Sequence, residues 1–335
     1  MDGRRILVVG EVRKGLIHSA SLELTGKARE LADKIGAEVY TLLPAGEISQ
    51  NPADLFKYGA DKVIVVLNEK MGLFNQEIFS RVVAAMVSEY EPEIVMAPAT
   101  TSGRSYMPVV AAVLGTGLTA DCTGLDIEEE TGLLLQTRPA IGGNIMATIK
   151  TPERRPQMAT VRPRTFRIPE PADRTGEIIE PVLPAGLFRT KIENLGITRK
   201  EEEGIDIQDM DVVVSGGKGL KRPESFDLLR ELSDLLGGGI GASRPTVDAK
   251  WMDYPHQVGL SGKVVSPKLY IATGISGAVQ HLAGMQTSGT IIAVNKDPEA
   301  PIFRVADIAL CGDLFDILPR LIERIREERS SHAAN

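Results

Sequence analysis

Residues 269–285, LYIATGISGAVQHLAGM, place a glycine-studded turn directly behind a short apolar run. A strand, a Gly-rich turn and a helix make a common phosphate cradle, because glycines admit backbone N–H groups to the phosphate oxygens and the helix N-terminus favours negative charge. Gly274 and Gly277 lie in that turn. With a helix starting near Ser276, Ser276 and Gln280 share a face at i, i+4, as do Gly277 and His281. A histidine beside a glycine face is more often a structural group than a chemical one, and the run is not a GxGxxG fingerprint. SGGKGL (215–220) repeats the pattern with Lys218 as its cation, although a tight loop explains that stretch equally well.

Other polar groups fall where a pocket lip would need them. Ser243 and Arg244 follow a triple glycine, and Arg244 presents a permanently charged donor fork. Taken alone it reads as a surface arginine with Asp248 as a structural partner. Gln257 and Ser261 flank a second glycine-rich turn. AVNKDPEAPIF (293–303) ends a strand at Asn295, and Asp313 follows the run IALCG. Ligands of open parallel sheets bind at such carboxyl ends. A carboxylate there can accept a ribose hydroxyl, but Asp313 alone is better read as a helix cap. No HExxH, GxSxG or spaced Cys/His set accompanies these groups. A dinucleotide pocket without proton-transfer or nucleophilic machinery points to electron transfer.

The elements that must position these groups read as α/β. Apolar runs at 5–10, 37–43, 62–67 and 93–99 alternate with helical patterns, as in a parallel sheet with right-handed crossovers. Ser21 is placed to cap the first helix, and Thr101 and Ser102 a later one. Residues 126–139 read as a hairpin, followed by strands at 144–150 and 157–163, so antiparallel strands are expected to join a mostly parallel sheet. Prolines between 163 and 184 and the charged run 199–204 mark a boundary. The expected organisation is an N-terminal α/β scaffold over 1–190, a linker over 191–208, a second domain over 209–330 and a disordered tail over 331–335. An amphipathic helix should close the second domain between Leu314 and Glu328.

The 335 residues carry a formal net charge of -7 and 4% aromatic residues, which argues against nucleic acid as the main partner. Two distant cysteines form no disulfide or zinc framework. The N-terminus runs straight into a strand with no secretory or transit pattern, and no apolar run reaches the ~18 residues of a membrane span. A cytoplasmic protein is expected.

LYIATGISGAVQHLAGMQTSGTIIAVN, continuing through NKDPEAPIFRVADIALCGDLF and including SRPTVDA and QVGLSGK upstream, resembles the signature of electron-transfer flavoprotein alpha subunits. TSGRSYMPVVAAVLGTGLTADCTGL and RPAIGGNIMAT in the first domain are similar to the same family. The resemblance implies a heterodimer with a beta subunit, a Rossmann-like C-terminal domain that binds one FAD, and an N-terminal scaffold that contacts the beta subunit. It implies Arg244 against the flavin ring and Ser243 at the phosphates. Gln257, Val258, Gly259 and Ser261 would line the isoalloxazine side. Ser276, Gln280 and His281 would reach the flavin and ribityl chain, and Asn295 and Asp313 the adenosine half. Lys218 stands where many members carry Arg, and Leu260 where some are polar. A histidine proton, a helix N-terminus and Arg244 would together stabilise the negative charge that one-electron reduction leaves near N1 and C2=O.

The function so implied is electron carriage for an acyl-CoA dehydrogenase-type partner of fatty acid β-oxidation. A sharper variant is an NADH-dependent electron-bifurcating complex, with ferredoxin or flavodoxin as low-potential acceptor and NADH acting through the beta subunit. Two competitors stand beside it. A stand-alone NAD-dependent oxidoreductase would require a proton donor and a usual fingerprint. A non-redox interaction subunit of the same fold would have no use for Arg244, Ser276, Gln280, His281 and Asp313.

Overall fold

The computed structural model of the chain describes residues 3–140, 145–197 and 207–333. These residues fall into two compact units that part after Ile197. In the first unit the apolar runs become strands β1 (Arg5–Val9), β2 (Glu38–Ala45), β3 (Lys62–Leu67) and β4 (Ile94–Pro98). Helices α1 (Ser19–Ile35), α2 (Gln76–Tyr90) and α3 (Thr101–Leu114) cover them. Strands β5 (Leu118–Cys122), β6 (Gly124–Ile127), β7 (Leu134–Pro139), β8 (Met146–Ile149), β9 (Gln157–Val161) and β10 (Glu177–Ile179) follow.

Seven of these strands run parallel in the order β10-β3-β2-β1-β4-β9-β5. Alternate residues of β1 enter two cores: Ile6 and Val8 pack with α1 residues Leu24 and Leu31, Leu7 and Val9 with α2 residues Ile78 and Val82. The expected hairpin is present, but β6, β7 and β8 form a separate antiparallel sheet, and β9 joins the parallel one. Asp121 puts an irregularity into β5 at φ 62, between the pairings of Thr119 with Ala159 and of Cys122 with Val161, and Arg162 clamps its carboxylate at 2.6 Å. The caps also differ by a residue or more from expectation. His18 caps α1 and Thr100 caps α3. Ser21 lies inside α1, where its hydroxyl accepts a hydrogen bond from Glu11 N–H at 2.8 Å.

The second unit contains β11 (Val212–Gly216), α4 (Phe226–Leu236), β12 (Gly239–Ala242), α5 (Arg244–Asp248), β13 (Leu269–Thr273), α6 (Val279–Leu282), β14 (Thr290–Asn295), β15 (Ile308–Cys311) and α7 (Leu314–Ala333). Its five strands are all parallel, in the order β12-β11-β13-β14-β15. Counted within the unit this is 2-1-3-4-5, whose direction of winding reverses between β11 and β13. Period-two alternation again splits the core. Val214, Ile271 and Val294 pack under α4 and α7 with Phe226, Leu229 and Leu318. Val213, Tyr270 and Ala293 face the other side with Val258, Met285 and Ile302. Helix α7 runs past Glu328 to Ala333, so part of the expected disordered tail is helical. Arg324 supports its late turns through Glu327 at i+3 and Glu328 at i+4. Residues 198–206, the centre of the expected linker, and 334–335 lie outside the described residues.

Phe226 is fully buried where α4 meets the sheet. Phe226→Ala should lower the unfolding free energy of the second unit by about 3–5 kcal/mol, because a large cavity remains. Urea unfolding followed by circular dichroism measures it, and a loss below about 1 kcal/mol would contradict this packing.

Candidate functional site

The ends of β11 and β13 approach so closely that side chains are excluded. A Cβ on Gly217 or Gly219 would collide with the backbone of Gly274, and Gly274 itself sits at φ 60. Gly217 N–H donates to Thr273 O at 2.9 Å and Gly219 N–H to Gly274 O at 3.0 Å. These glycines therefore spend their N–H groups in joining two strand ends, not in cradling a phosphate. The SGGKGL turn sets the floor of a cleft.

That cleft has a volume of about 490 Å³, within the usual range for small-molecule sites. It opens at the winding reversal, where open parallel sheets bind ligands. Its walls include Lys218, Ser243, Arg244, Val258, Gly259, Ser261, Gly274, Ser276, Gln280, His281 and Asn295. The structure thus brings together eleven side chains or backbone positions singled out from the sequence. Gln257, Gly277 and Asp313 do not line it. Gln257 is buried behind the wall, and its amide donates to Ser261 Oγ at 3.1 Å. Gly277 adopts φ 87, and the Ile302 backbone packs where a Cβ would stand. Asp313 caps α7 by accepting from Phe315 N–H at 2.9 Å, and it faces Lys221 at 3.7 Å.

The segment after β13 also departs from expectation. Residues 275–278 are not helical, and α6 is a single turn that starts at Val279. Ser276 and Gln280 therefore do not share a helix face, and one turn supplies little dipole. Other bonds fix the segment. Ser276 O accepts from Ile302 N–H at 3.0 Å, and Asn295 Nδ2 donates to Ile275 O at 2.9 Å. The Val258–Ser261 loop is tied to α6 by Leu260 N–H to Gln280 O at 2.7 Å.

The charged wall is sparse. Lys218 Nζ lies 4.0 Å from the centroid of Trp251, the chain's single tryptophan. Arg244 pairs with Asp248 at 3.3 Å, with both side chains well exposed, so the pair holds the guanidinium only weakly. Asp297, which reads from the sequence only as part of a strand-end turn, contributes a carboxylate. Ile275, Ala278 and Ala300 also line the cleft, and no sequence signal marks them because their role is purely positional.

His281 is 6% exposed. Its Nε2 lies 3.0 Å from Tyr270 Oη. Its Nδ1 is buried and makes no hydrogen bond of full geometry among the described residues. Burial pushes the imidazole down to about 4, against a smaller opposing pull from the Val258 backbone. The ring is therefore neutral at pH 7, so the histidine proton expected from the sequence would be the N–H of a neutral imidazole. A buried polar atom without a partner is costly in an otherwise satisfied interior. Nδ1 thus leaves hydrogen-bonding capacity unspent in a ring that lines the cleft, with the Val258 backbone acting on the same imidazole.

Fold and cleft together define a two-unit α/β protein with a dinucleotide-type site at the winding reversal of its second sheet. Residues 6–185 match the family described as "Electron transfer flavoprotein domain", and residues 206–286 match "Electron transfer flavoprotein FAD-binding domain". The chain is 47% identical to the electron transfer flavoprotein subunit alpha of Thermoanaerobacterium thermosaccharolyticum over 97% of this chain and 99% of that one. It is 46% identical to the subunit of the same name from Clostridium acetobutylicum, over 97% and 98%. It is 43% identical to the lactate dehydrogenase (NAD(+),ferredoxin) subunit LctC of Acetobacterium woodii, over 96% and 77%. The chain belongs to the electron transfer flavoprotein alpha-subunit family. It is an electron-transfer protein whose cofactor is FAD and whose family partner is a beta subunit. The orphaned His281 Nδ1, the glycine floor and the two cations fit a dinucleotide with a polar flavin edge. No helix among the described residues is long and apolar enough to cross a membrane.

The neutral His281 has a consequence for stability. The unfolded chain binds a proton near the ordinary imidazole value of about 6.5, the folded chain only near about 4. The contribution is full above pH 6.5 and lost as the pH falls from there to 4, by about 3 kcal/mol. Urea unfolding of the native chain and of His281→Gln at pH 7 and pH 4 isolates it from the carboxylates. The native chain should lose about 3 kcal/mol more than the variant, and an equal loss would contradict a buried neutral ring.

Proposed function

We propose that the second unit holds FAD in the Gly217–Gly274 cleft and that the chain passes electrons between an acyl-CoA dehydrogenase-type enzyme and a second carrier. The observation that carries this reading is the position of the cleft, at the winding reversal, with the buried neutral ring of His281 in its wall. When bound, the FAD supplies one- and two-electron chemistry. The chain's own groups bind and orient it. Arg244 faces the flavin ring as a permanent cation, and Ser243 and Lys218 serve the pyrophosphate. Val258, Gly259 and Ser261 line one side of the isoalloxazine, with Gln257 holding Ser261. Ser276, Gln280 and His281 meet the flavin and ribityl chain, with His281 acting as a neutral polar group. Gly274 shapes the floor and Gly277 the turn beyond it. Asn295 serves the adenosine half, while Asp313 secures the start of α7. No proton needs to be gained or lost by these groups during turnover.

The first unit, ending near residue 190, is the scaffold that contacts the beta subunit, and the chain works in the cytoplasm. A bifurcating complex is the second reading. The Acetobacterium woodii relative's name joins NAD(+) and ferredoxin, and that supports NADH entering through the beta subunit with ferredoxin or flavodoxin as acceptor. Counting FAD per heterodimer and adding NADH without oxygen separates the two. Two FAD bleached by NADH means bifurcation. One FAD, untouched by NADH but reduced through an acyl-CoA dehydrogenase, means a simple shuttle.

Arg244→Ala should raise the FAD dissociation constant about 10- to 100-fold, the loss of a charge-assisted contact. Arg244→Lys should recover only part of it, because the planar fork is gone. Equilibrium titration against flavin fluorescence measures both. Unchanged affinity in Arg244→Ala would remove Arg244 from the site.

A further inference from the structure

Tyr270 lies at the centre of the second unit's sheet and is fully buried. It sits on β13, on the face opposite Ile271 and Thr273, and reaches under the cleft to the ring of His281. Burial drives the phenol pKa up, so the hydroxyl keeps its proton. A buried hydroxyl needs an acceptor. His281 Nε2, at 3.0 Å, is an acceptor of good geometry. Ser215 Oγ is the nearest competitor, but it makes no hydrogen bond of full geometry among the described residues. A neutral imidazole carries one N–H, and the bond made at one nitrogen decides which. If Tyr270 donates to Nε2, that nitrogen holds the lone pair and the proton must sit on Nδ1.

We propose that Tyr270 is a positioning residue that fixes His281 in its Nδ1–H tautomer, so that the ring beside the cleft is a neutral hydrogen-bond donor at Nδ1. The proposal rests on the FAD reading of the cleft for its consequence, though not for the tautomer itself. A donor at Nδ1 suits a carbonyl oxygen of the flavin and gains strength as that oxygen becomes more negative. The opposite tautomer would turn a lone pair toward the same oxygen and repel it. A neutral donor also adds no buried positive charge, whose desolvation would be costly. The geometry separates two tasks: Tyr270 chooses the tautomer, and His281 meets the ligand. No strand–turn–helix motif reveals this pairing, since the two residues are eleven apart and meet only through the fold.

The test is nitrogen-15 spectroscopy of the imidazoles in the flavin-free chain. The chain has four histidines, so His281→Gln identifies the resonances of His281. Native protein should show a pyrrole-type Nδ1 and a pyridine-type Nε2. Tyr270→Phe removes one oxygen and keeps the packing, so it should fold. Its His281 should lose that preference, shifting Nδ1 toward pyridine type and Nε2 toward pyrrole type. FAD should then dissociate about tenfold more readily, the size of one buried hydrogen bond. A pyrrole-type Nε2 in the native chain, or an unchanged tautomer in Tyr270→Phe, overturns the role of Tyr270. If instead His281→Gln holds FAD as tightly as the native chain while the tautomer behaves as stated, the flavin reading of the cleft fails and with it the purpose assigned to the tautomer.

Discussion

The site depends on the contact between the ends of β11 and β13. Gly217 and Gly219 lie against Gly274 without room for a Cβ, and their N–H groups bond across the gap. That contact sets how far apart the two diverging chains stand when they leave the sheet. One leads toward Lys218 and α4, the other toward Ser276 and α6. A side chain at any of these glycines would wedge the floor apart, so the cleft exists because nothing occupies its base.

The first unit makes the comparison informative. Its sheet also reverses, between β1 and β4, and the same rule would place a ligand there. Instead Thr100, which follows β4, donates to Glu11, which follows β1, at 2.6 Å. The chain ties its own strand ends together with side chains and leaves no orphaned acceptor at Glu11 Oε2. In the second unit the equivalent region is built of glycines and leaves His281 Nδ1 without a partner. One parallel-sheet design therefore joins its strand ends by a side-chain hydrogen bond in one unit and by close-packed glycines in the other. Burial has a second effect at the open site. It keeps the imidazole neutral, so Arg244 and Lys218 are the cations that line the cleft.

Much of this was legible in the sequence. RILVVG and KLYIATG, apolar runs ending in glycine, became buried parallel strands, and most of the linked motif residues of the second unit converge on one cleft. What escaped did so for identifiable reasons. The helix expected from Ser276 shrinks to one turn because Gly277 takes a left-handed conformation to admit Ile302, a contact 25 residues away (residues 277 and 302) that no local spacing encodes. The charge state of His281 follows from burial against Tyr270, Val258 and their neighbours, which spacing cannot supply. Asp313 and Gln257 have the right chemistry at the right level of the sheet, yet each is spent on holding a neighbour. The irregularity that the left-handed Asp121 and its Arg162 clamp put into β5 is again a matter of tertiary partners.

The most direct measurement is a crystal structure of the chain with its beta subunit and bound FAD. The account predicts the flavin in the Gly217–Gly274 cleft, with a polar edge within hydrogen-bonding distance of His281 Nδ1 and the ring beside Arg244. A flavin held elsewhere, or one that leaves His281 Nδ1 without a partner, would contradict it.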